Sequence, residues 1–553
     1  MKNSKKIGLA AALAATTVAV GGLAYKKMKS GFNPNKYVKD QVKKQYVKET
    51  RTDAKKDMDF SPFQEAMDGM SNEKYIALKS LILDSDIETL QSYIDSNKFS
   101  VVELVTFYLK RIKRKDEDKL NAIIELNPEA LEIAKKRDED RKNGLDMGIL
   151  FGMPILLKDN IGTGDKMRNT AGAYALRDSN CERDAFIVQK LRDAGAVILG
   201  KANLSEWANF MAFDSSNGYS ALGGQAHNPY GQFDVGGSSA GSAAAAASNL
   251  CAGTVGTETN GSIIYPASQN SVVAIKPTLG LLSRDAIIPI AHAQDTAGPL
   301  AKTVKDAALM LGAMVGFDNN DSVTLKSEHH DITDYLDFLD KDALNGLKIG
   351  LVTNKEITTS YRKDEKVVLD RIIEELFRLG AEVKNVKMTK KIKDIKTSNV
   401  LIYEFKAGVN DYLKAVNVDN NVNTLEKIIK FNGSDSKNMA AFGQGLLEKS
   451  QDTKLTYVDN RELADSNRKL AREAIDQALN ENDLDLLITL STSLSCIYAP
   501  AGYPAITVPA GYKKSGEPIG LTFAAGGFQE PLLIKAAYAY EQNTRHRIKP
   551  AIE

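Results

Sequence analysis

The residues of this chain that could do chemistry are concentrated in one stretch, residues 236–276, which is rich in glycine and hydroxyl side chains. A glycine and serine loop at 236–242 leads into a helix-prone run of alanines, and glycines and hydroxyls then alternate through 253–267. Such a backbone can turn several N–H groups towards one point, as an oxyanion hole requires. The stretch is therefore suited to acyl-transfer chemistry.

The glycine and serine loop has competing interpretations. It lacks the GKS or GKT ending of a phosphate-binding P-loop. It does contain G-x-S-x-G at 237–241, the nucleophile elbow of α/β-hydrolases. That interpretation makes Ser239 the nucleophile and needs a downstream Asp and His, with His292 and His546 as candidates. Taken alone, however, a match of this kind usually marks only the start of a helix.

A serine nucleophile also needs a base, because its hydroxyl is a weak nucleophile until a neighbouring group takes its proton. The chain has only five histidines, so a lysine base is attractive. Lysine acts as a base only when neutral, and burial lowers its pKa. Lys158 follows the apolar run Ile155–Leu157, which predicts that it is buried at the end of a strand.

Several further motifs stand in a fixed order around these residues. With the two loops, they resemble the amidase signature family over nearly the whole chain after residue 73. The matching segments are Leu157–Asn160, Lys201–Ala208, Gly236–Ser242 (Ala240 replaces a glycine), Gly256–Ile263, Lys276–Thr278, Gln294–Pro299 and Ala501–Pro509.

The resemblance implies a role for each matching position. Ser262 would be the acylated nucleophile, Ser238 the relay (in the family through a cis peptide) and Lys158 the base. Ser239 would hold the relay by hydrogen bonding, and Asp295 would support the loop. The oxyanion hole would consist of the backbone N–H groups of Thr259, Asn260, Gly261 and Ser262. The hydroxyls of Ser242, Thr254 and Thr257 are expected to be structural.

The implied reaction is hydrolysis of a linear carboxamide, in a small molecule or a peptide, to a carboxylate and ammonia or an amine. Asn260, Ile264 and Tyr265 depart from many relatives and could reshape the acyl pocket. Residues 205–209, 283–285 and 288–289, with Glu258, look most like the branch of peptide amidases, which remove a C-terminal carboxamide. No metal, nucleotide or organic cofactor is implied.

The elements that must position these residues alternate between strand-like and helix-like segments, which indicates an α/β fold with a mixed or mainly parallel sheet. Apolar spacing predicts helices over 87–94, 101–109 and 364–379, and buried strands at 347–352 and 486–490. The resemblance implies one large catalytic domain, residues 73–553, with helices on both faces of the sheet. Residues 317–470 are charge-rich and are predicted to be a variable, substrate-side region.

The N-terminal segment has a different composition. Lysines flank an uncharged run, Ile7 to Tyr25, which as a helix would be about 28 Å long, close to the hydrocarbon thickness of a bilayer. Residues 1–30 therefore resemble either a bacterial-type export signal or a membrane anchor, and the protein is expected to be exported or membrane-anchored in a bacterium. Residues 31–72 are expected to form a charged tether.

Composition narrows the alternatives. The formal net charge of +1 provides no field that would attract nucleic acid, and three cysteines without CxxC spacing argue against a disulfide framework or a zinc cluster. Two other functions remain open. One is the amidase-like component of glutamyl-tRNA amidotransferase, which the export-like segment disfavours, and the other is a non-catalytic surface protein on an amidase scaffold.

Overall fold

The computed structural model describes residues 57–145, 148–327, 332, 334–358, 361 and 363–552. Its centre is a mixed sheet of eleven strands in the order β1-β3-β2-β6-β8-β7-β12-β13-β11-β9-β10, and β4 and β5 form a separate two-stranded ribbon. The strands are β1 Ile123–Leu126, β2 Pro154–Lys158, β3 Val197–Ala202, β4 Tyr219–Ser220, β5 Gly224–Gln225, β6 Gly253–Glu258, β7 Val273–Lys276, β8 Thr296–Ala301, β9 Lys348–Val352, β10 Glu382–Val386, β11 Leu486–Leu490, β12 Ala505–Tyr512 and β13 Pro518–Ala524.

Helices cover the sheet and connect its strands. They are α1 Gln64–Gly69, α2 Asn72–Ile82, α3 Ile87–Asp95, α4 Val101–Lys115, α5 Ala130–Lys142, α6 Phe186–Asp193, the single turn α7 Glu206–Asn209, α8 Ala240–Ala247, α9 Ile264–Gln269, α10 Val304–Met314, α11 Lys355–Thr358, α12 Lys363–Arg378, α13 Thr397–Lys414, α14 Leu425–Ser434, α15 Ser436–Met439, α16 Gly445–Gln451, α17 Tyr457–Asn480, α18 Ser495–Ala501 and α19 Glu530–Thr544. The predicted α/β fold with a central mixed sheet is confirmed, as are the helices and strands that the apolar spacing indicated.

The pairing of strands places the chemically interesting residues along one edge of the sheet, the edge formed by the carboxyl ends of the parallel strands β2 and β6. β2 runs parallel to β6, with Leu157 opposite Val255, so Lys158 and Thr257 come at neighbouring carboxyl ends. β8 is antiparallel to β6, with Thr296 opposite Glu258, so Asp295 enters the sheet at that same edge. In open α/β sheets ligands bind outside the carboxyl ends of strands, and this edge is such a place.

Helix α8 packs against the strands that carry the site. Every residue from Ala240 to Ala247 is buried, and the side chains are nearly all methyl groups, which lets the helix lie close to the sheet. At Gly241 a Cβ atom would collide with the backbone oxygens of Ala122 and Asn203. Small residues here are therefore a packing requirement, and they fix where the preceding Ser238–Ser239 turn lies.

Two predicted boundaries were wrong. Residues 317–470 are not one substrate-side region, because β9 and β10 pair in parallel with each other and β9 pairs with β11, so residues 348–386 complete the central sheet. The charged tether does not reach residue 72: α1 lies within it, and Phe63 and Met67 are buried in the main hydrophobic core. Apolar residues three or four positions apart at 60, 63, 67 and 70 form the inward face of that segment.

The predicted signal or anchor at residues 1–30 and the first part of the tether lie outside the described residues. Within the part of the chain that the structure describes, no helix has the length and apolar character needed to cross a membrane.

Candidate active site

Lys158 is the last residue of β2 and its side chain is fully buried. Its Nζ lies 2.8 Å from Ser238 Oγ, 2.9 Å from Thr257 Oγ1 and 3.2 Å from the Thr257 carbonyl oxygen. Burial lowers the pKa of Lys158 to about 7, although the carboxylates of Asp295 and Glu258 act in the opposite direction. At neutral pH a large fraction of this amine is therefore unprotonated, which a general base requires.

The Ser238–Ser239 turn lies between Lys158 and the segment that carries Ser262. The Gly237–Ser238 peptide bond is cis. The Ser239 N–H donates to the Ser262 carbonyl oxygen at 3.2 Å, so the two serine segments are joined through the backbone. Ser239 Oγ donates to the Thr257 carbonyl at 3.1 Å and accepts from the Thr257 N–H at 3.2 Å. Its hydroxyl thus ties the turn to β6.

These contacts do not assemble the nucleophile elbow of an α/β-hydrolase. Ser239 Oγ has both of its hydrogen bonds to backbone groups, and no histidine among the described residues accepts its proton. His546 instead lies 2.9 Å from the Glu375 carboxylate, and His292 is an exposed residue. Neither histidine is placed as a base for Ser239.

The turn that follows β6 presents its N–H groups without competing backbone partners. Within the described residues, the N–H groups of Asn260, Gly261 and Ser262 donate no backbone hydrogen bond. Gly261 has a φ of +82°, and a Cβ atom there would lie 2.5 Å from Thr492 Oγ1, so both conformation and space require glycine. The turn is closed from behind by Glu258, whose carboxylate accepts the N–H groups of Ile263 (2.8 Å) and Ile264 (3.1 Å).

Asp295 holds this turn on its other side. Its Oδ1 accepts from the Thr259 hydroxyl, and its Oδ2 accepts from the N–H groups of Ile290 (2.8 Å) and Ala291 (2.9 Å). Burial raises the pKa of Asp295, while these hydrogen bonds lower it. Gln294 adds a second tie, because its Nε2 donates to the Thr259 carbonyl at 3.0 Å. The turn is therefore fixed by groups that leave its own N–H donors available.

The predicted residues thus meet at one edge of the sheet, but one hydrogen bond of the expected relay is not formed. Lys158 reaches Ser238 directly, whereas within the described residues no hydrogen bond joins the Ser238 and Ser262 hydroxyls. Catalytic hydrogen bonds are often long in unliganded enzymes and shorten when substrate binds.

Sequence reasoning missed two residues of the site. Thr257 was expected to be a structural hydroxyl, but its Oγ1 accepts from Lys158 Nζ. Asn160 had no predicted role, yet its Nδ2 donates to the same hydroxyl at 3.0 Å. Both stand inside motifs that match the family: Asn160 is two residues after Lys158, and Thr257 directly precedes Glu258. Their place in those motifs was the available signal. Ser242 and Thr254 do hydrogen-bond to backbone carbonyls.

A small cavity of about 10 Å³ lies against this edge, lined by Asn160, Thr257, Thr259, Asp295 and the strap Ile287–Ile290. It adjoins a larger cleft of about 270 Å³, open to solvent, and Arg284 and His292 line both. Helix α13 contributes Gly408 and Tyr412 to the cleft wall. Among the described residues no group of three or more His, Cys, Asp or Glu side chains is arranged to hold a metal ion.

Comparison with known proteins agrees with this geometry. The sequence profile of the Amidase family matches residues 103–496. A crystal structure of an amidase family protein from Bacillus anthracis is 38% identical, with a TM-score of 0.85 over 89% of this chain and 97% of that one. The native peptide amidase of Stenotrophomonas maltophilia is 40% identical, with a TM-score of 0.81 over 85% of this chain and 99% of that one.

A second kind of relative is also similar in sequence. A glutamyl-tRNA(Gln) amidotransferase component from Gloeothece citriformis is 33% identical over 505 residues, which cover 85% of this chain and 99% of that protein. The profile match and the extent of these similarities, together with the fold, show that this chain belongs to the amidase family.

Proposed function

We propose that this amidase hydrolyses a linear carboxamide through Ser262 as the acylated nucleophile, with Ser238 and Lys158 as its proton relay. The observation that carries the proposal is the fully buried Lys158 amine, 2.8 Å from the Ser238 hydroxyl, with a pKa lowered to about 7. A neutral Lys158 has two N–H groups and one lone pair. The N–H groups can donate to Thr257, which leaves the lone pair to accept the Ser238 proton.

The reaction then follows from these positions. Ser262 attacks the amide carbonyl while its proton passes to Ser238 and the Ser238 proton passes to Lys158. The oxyanion that forms accepts hydrogen bonds from the N–H groups of the 259–262 turn. Lys158 returns its proton through Ser238 to the departing nitrogen, and the carbon–nitrogen bond breaks. Water, deprotonated by the same relay, hydrolyses the ester of Ser262 and releases the carboxylate.

We further propose that the substrate is a peptide amide. The similarity to the Stenotrophomonas maltophilia peptide amidase supports this, as does the solvent-open cleft of about 270 Å³ beside the smaller cavity. Arg284, Asp285 and Pro289, within the segment whose sequence resembles the peptide amidase branch, line that cleft.

Ammonia release by the full chain tests the proposal. Peptide amides, fatty amides and aryl amides would each be given to the wild type, to Ser262→Ala and to the matched control Ser242→Ala. Ser242 is also a buried serine, and its hydroxyl donates to a backbone carbonyl. We expect the rate of Ser262→Ala to be lower than that of wild type by about 10³-fold or more, because the residual rate depends only on binding and the oxyanion hole. Activity that survives in Ser262→Ala but is lost in Ser239→Ala would contradict the assigned nucleophile.

Similarity to the glutamyl-tRNA(Gln) amidotransferase component favours a second candidate, delivery of ammonia within a larger enzyme complex. Copurification of the chain with other proteins of such a complex, and ammonia release only in their presence, would support it. Ammonia release by the isolated chain would exclude both this dependence and the alternative of a non-catalytic surface protein.

We also propose that residues 1–30 direct the enzyme out of the bacterial cytoplasm, as an export signal or a membrane anchor. The support is the uncharged run between flanking lysines. Cell fractionation of the full chain and of a chain lacking residues 1–30 tests this. Equal amounts of both in the cytosolic fraction would contradict the proposal.

A further inference from the structure

Asn160 lies two residues after the lysine of the relay and is 2% exposed. Its Nδ2 donates to Thr257 Oγ1 at 3.0 Å and to the Ile288 carbonyl at 3.4 Å. A carbonyl oxygen can only accept a hydrogen bond, so the contact with Ile288 fixes which end of the side-chain amide is the nitrogen. The Oδ1 atom is therefore the end that faces away from both partners.

That Oδ1 atom is buried and has no hydrogen-bond partner among the described residues. Asn160 also lines the small cavity beside the site, together with Thr257 and Thr259. A buried acceptor without a donor costs roughly 1–3 kcal/mol, so most such groups are satisfied by protein, water or ligand. The cavity is the open space that adjoins Asn160.

The position of Asn160 relative to the relay indicates which donor that is. The Thr257 hydroxyl accepts from both Lys158 Nζ and Asn160 Nδ2, so it links the two side chains directly. In the proposed reaction the relay delivers its proton to the departing nitrogen. Asn160 is therefore separated by a single hydroxyl from the amine that supplies this proton.

We propose that Asn160 is a specificity-determining residue whose Oδ1 accepts a hydrogen bond from an N–H of the scissile carboxamide, so that the enzyme selects amides with at least one N–H over esters. This inference rests on the proposed function. The substrate nitrogen satisfies the buried acceptor, whereas the oxygen of an ester brings a second acceptor to the same atom and leaves it unpaired. A tertiary amide has no N–H and is rejected for the same reason.

The wall of the cavity is arranged to keep this contact. The Ile288 N–H donates to the Asn160 carbonyl at 2.8 Å, while the Asn160 side chain donates back to the Ile288 carbonyl. Asp295 accepts the next two N–H groups along the chain, from Ile290 at the end of the strap and from Ala291. The strap, the relay and the acceptor are therefore fixed relative to one another before substrate binds.

The experiment is a cycle of two substrates and two enzymes. The kcat/KM values of the full chain for a peptide amide and for the methyl ester with the same acyl group are compared between wild type and Asn160→Leu. Removal of the acceptor should lower the value for the amide about ten-fold more than the value for the ester, the effect of one lost hydrogen bond. Asn160→Ala, a smaller residue, is the second variant should Asn160→Leu fail to fold.

Asn270 provides a matched control. Its Nδ2 also donates to two backbone carbonyls, at Val235 and Pro266, and its buried Oδ1 also has no partner in the described part of the chain, but Asn270 does not line the cavity. Asn270→Leu should leave the ratio of amide to ester activity unchanged.

Two results are distinguishable. Equal losses for amide and ester in the Asn160 variants would overturn the inference, because Asn160 would then only hold Thr257 and Lys158. Failure of wild type to cleave either substrate, or cleavage of both by Ser262→Ala, would overturn the proposed function instead.

Discussion

Lys158 and Lys276 are both fully buried, and they lie in two regions of one sheet. Burial lowers the pKa of Lys158 to about 7 and that of Lys276 to about 8. Their partners differ. Lys158 Nζ contacts the hydroxyls of Ser238 and Thr257, whereas Lys276 Nζ donates to the carbonyl oxygens of Pro277 (2.8 Å) and Tyr503 (2.9 Å).

This difference separates a base from a structural amine. A carbonyl oxygen has no proton to give, so Lys276 can only donate, and its two hydrogen bonds hold the end of β7 to the turn before β12. A hydroxyl can donate as well as accept, so Ser238 can pass a proton to Lys158 when that amine is neutral. Burial alone makes a lysine easy to deprotonate, and the partner decides whether that has a chemical use.

The largest expected difference between the two lysines is the loss of kcat when the amine of Lys158 is removed. Lys158→Met keeps most of the length and an apolar stem but removes the amine, so kcat should fall about 10³-fold or more because Ser238 has no group to receive its proton. Lys276→Met should retain kcat close to wild type for the folded fraction. Steady-state ammonia release measures both, and similar losses in the two variants would show that burial, not the hydroxyl partner, matters.

The pH dependence of kcat/KM sharpens the comparison. Lys158 acts as a base only when neutral, and its pKa is lowered from 10.5 to about 7. The rate should therefore rise about ten-fold per pH unit below pH 7 and level off above it, since the neutral fraction rises in that way. Lys276→Met should leave this inflection in place. A profile that is flat from pH 5 to pH 8 would contradict assignment of Lys158 as the base.

Thr257 tests the part of the relay that sequence reasoning missed. Thr257→Val removes the hydroxyl that accepts from both Lys158 and Asn160 but keeps the backbone carbonyl contact. We expect kcat to fall about ten-fold, the effect of one buried hydrogen bond, and the inflection to move to lower pH because the ammonium form loses an acceptor. Thr257→Ser should restore both. Activity of the valine variant equal to wild type would show that the hydroxyl has no part in the reaction.

Removal of the Lys276 amine should have the smallest effect on activity and should instead lower the stability of the fold. Lys276→Met leaves the Pro277 and Tyr503 carbonyls without this donor, which should lower the free energy of unfolding by about 1–3 kcal/mol. Thermal unfolding of the variant beside wild type measures the change. An unchanged Tm would mean that the two hydrogen bonds add nothing to the junction of β7 and β12.

The sequence was sufficient for the fold and for the position of Lys158. Apolar runs such as Ile155–Leu157 predict buried strands, and the expected burial of the lysine that follows this run is what the structure shows. The sequence predicted the strand at 347–352 but not that residues 348–386 join the central sheet, because charge-rich segments surround the two short strands there. Pairing between β9 and β11 joins positions far apart in the chain, and local composition does not record it.

The side chains that hold the catalytic residues in place were harder to predict than the catalytic residues themselves. Thr257 and Asn160 are ordinary residues in sequence, and they gain their roles from the parallel pairing of β2 with β6, which brings the ends of two strands together. Glu258 behaves similarly, because its carboxylate turns back to the N–H groups of Ile263 and Ile264. Such contacts depend on tertiary geometry and leave no periodic signal in the chain.

The central claim is that Ser262, activated through Ser238 and Lys158, becomes acylated. The most direct measurement is mass spectrometry of the full chain after reaction with a serine-directed fluorophosphonate, with the adduct located by fragmentation of the segment between Lys201 and Lys276. The account predicts one adduct, on Ser262, in wild type and a much slower reaction in Lys158→Met. An adduct on Ser239, or equal labelling of wild type and Lys158→Met at Ser262, would contradict it.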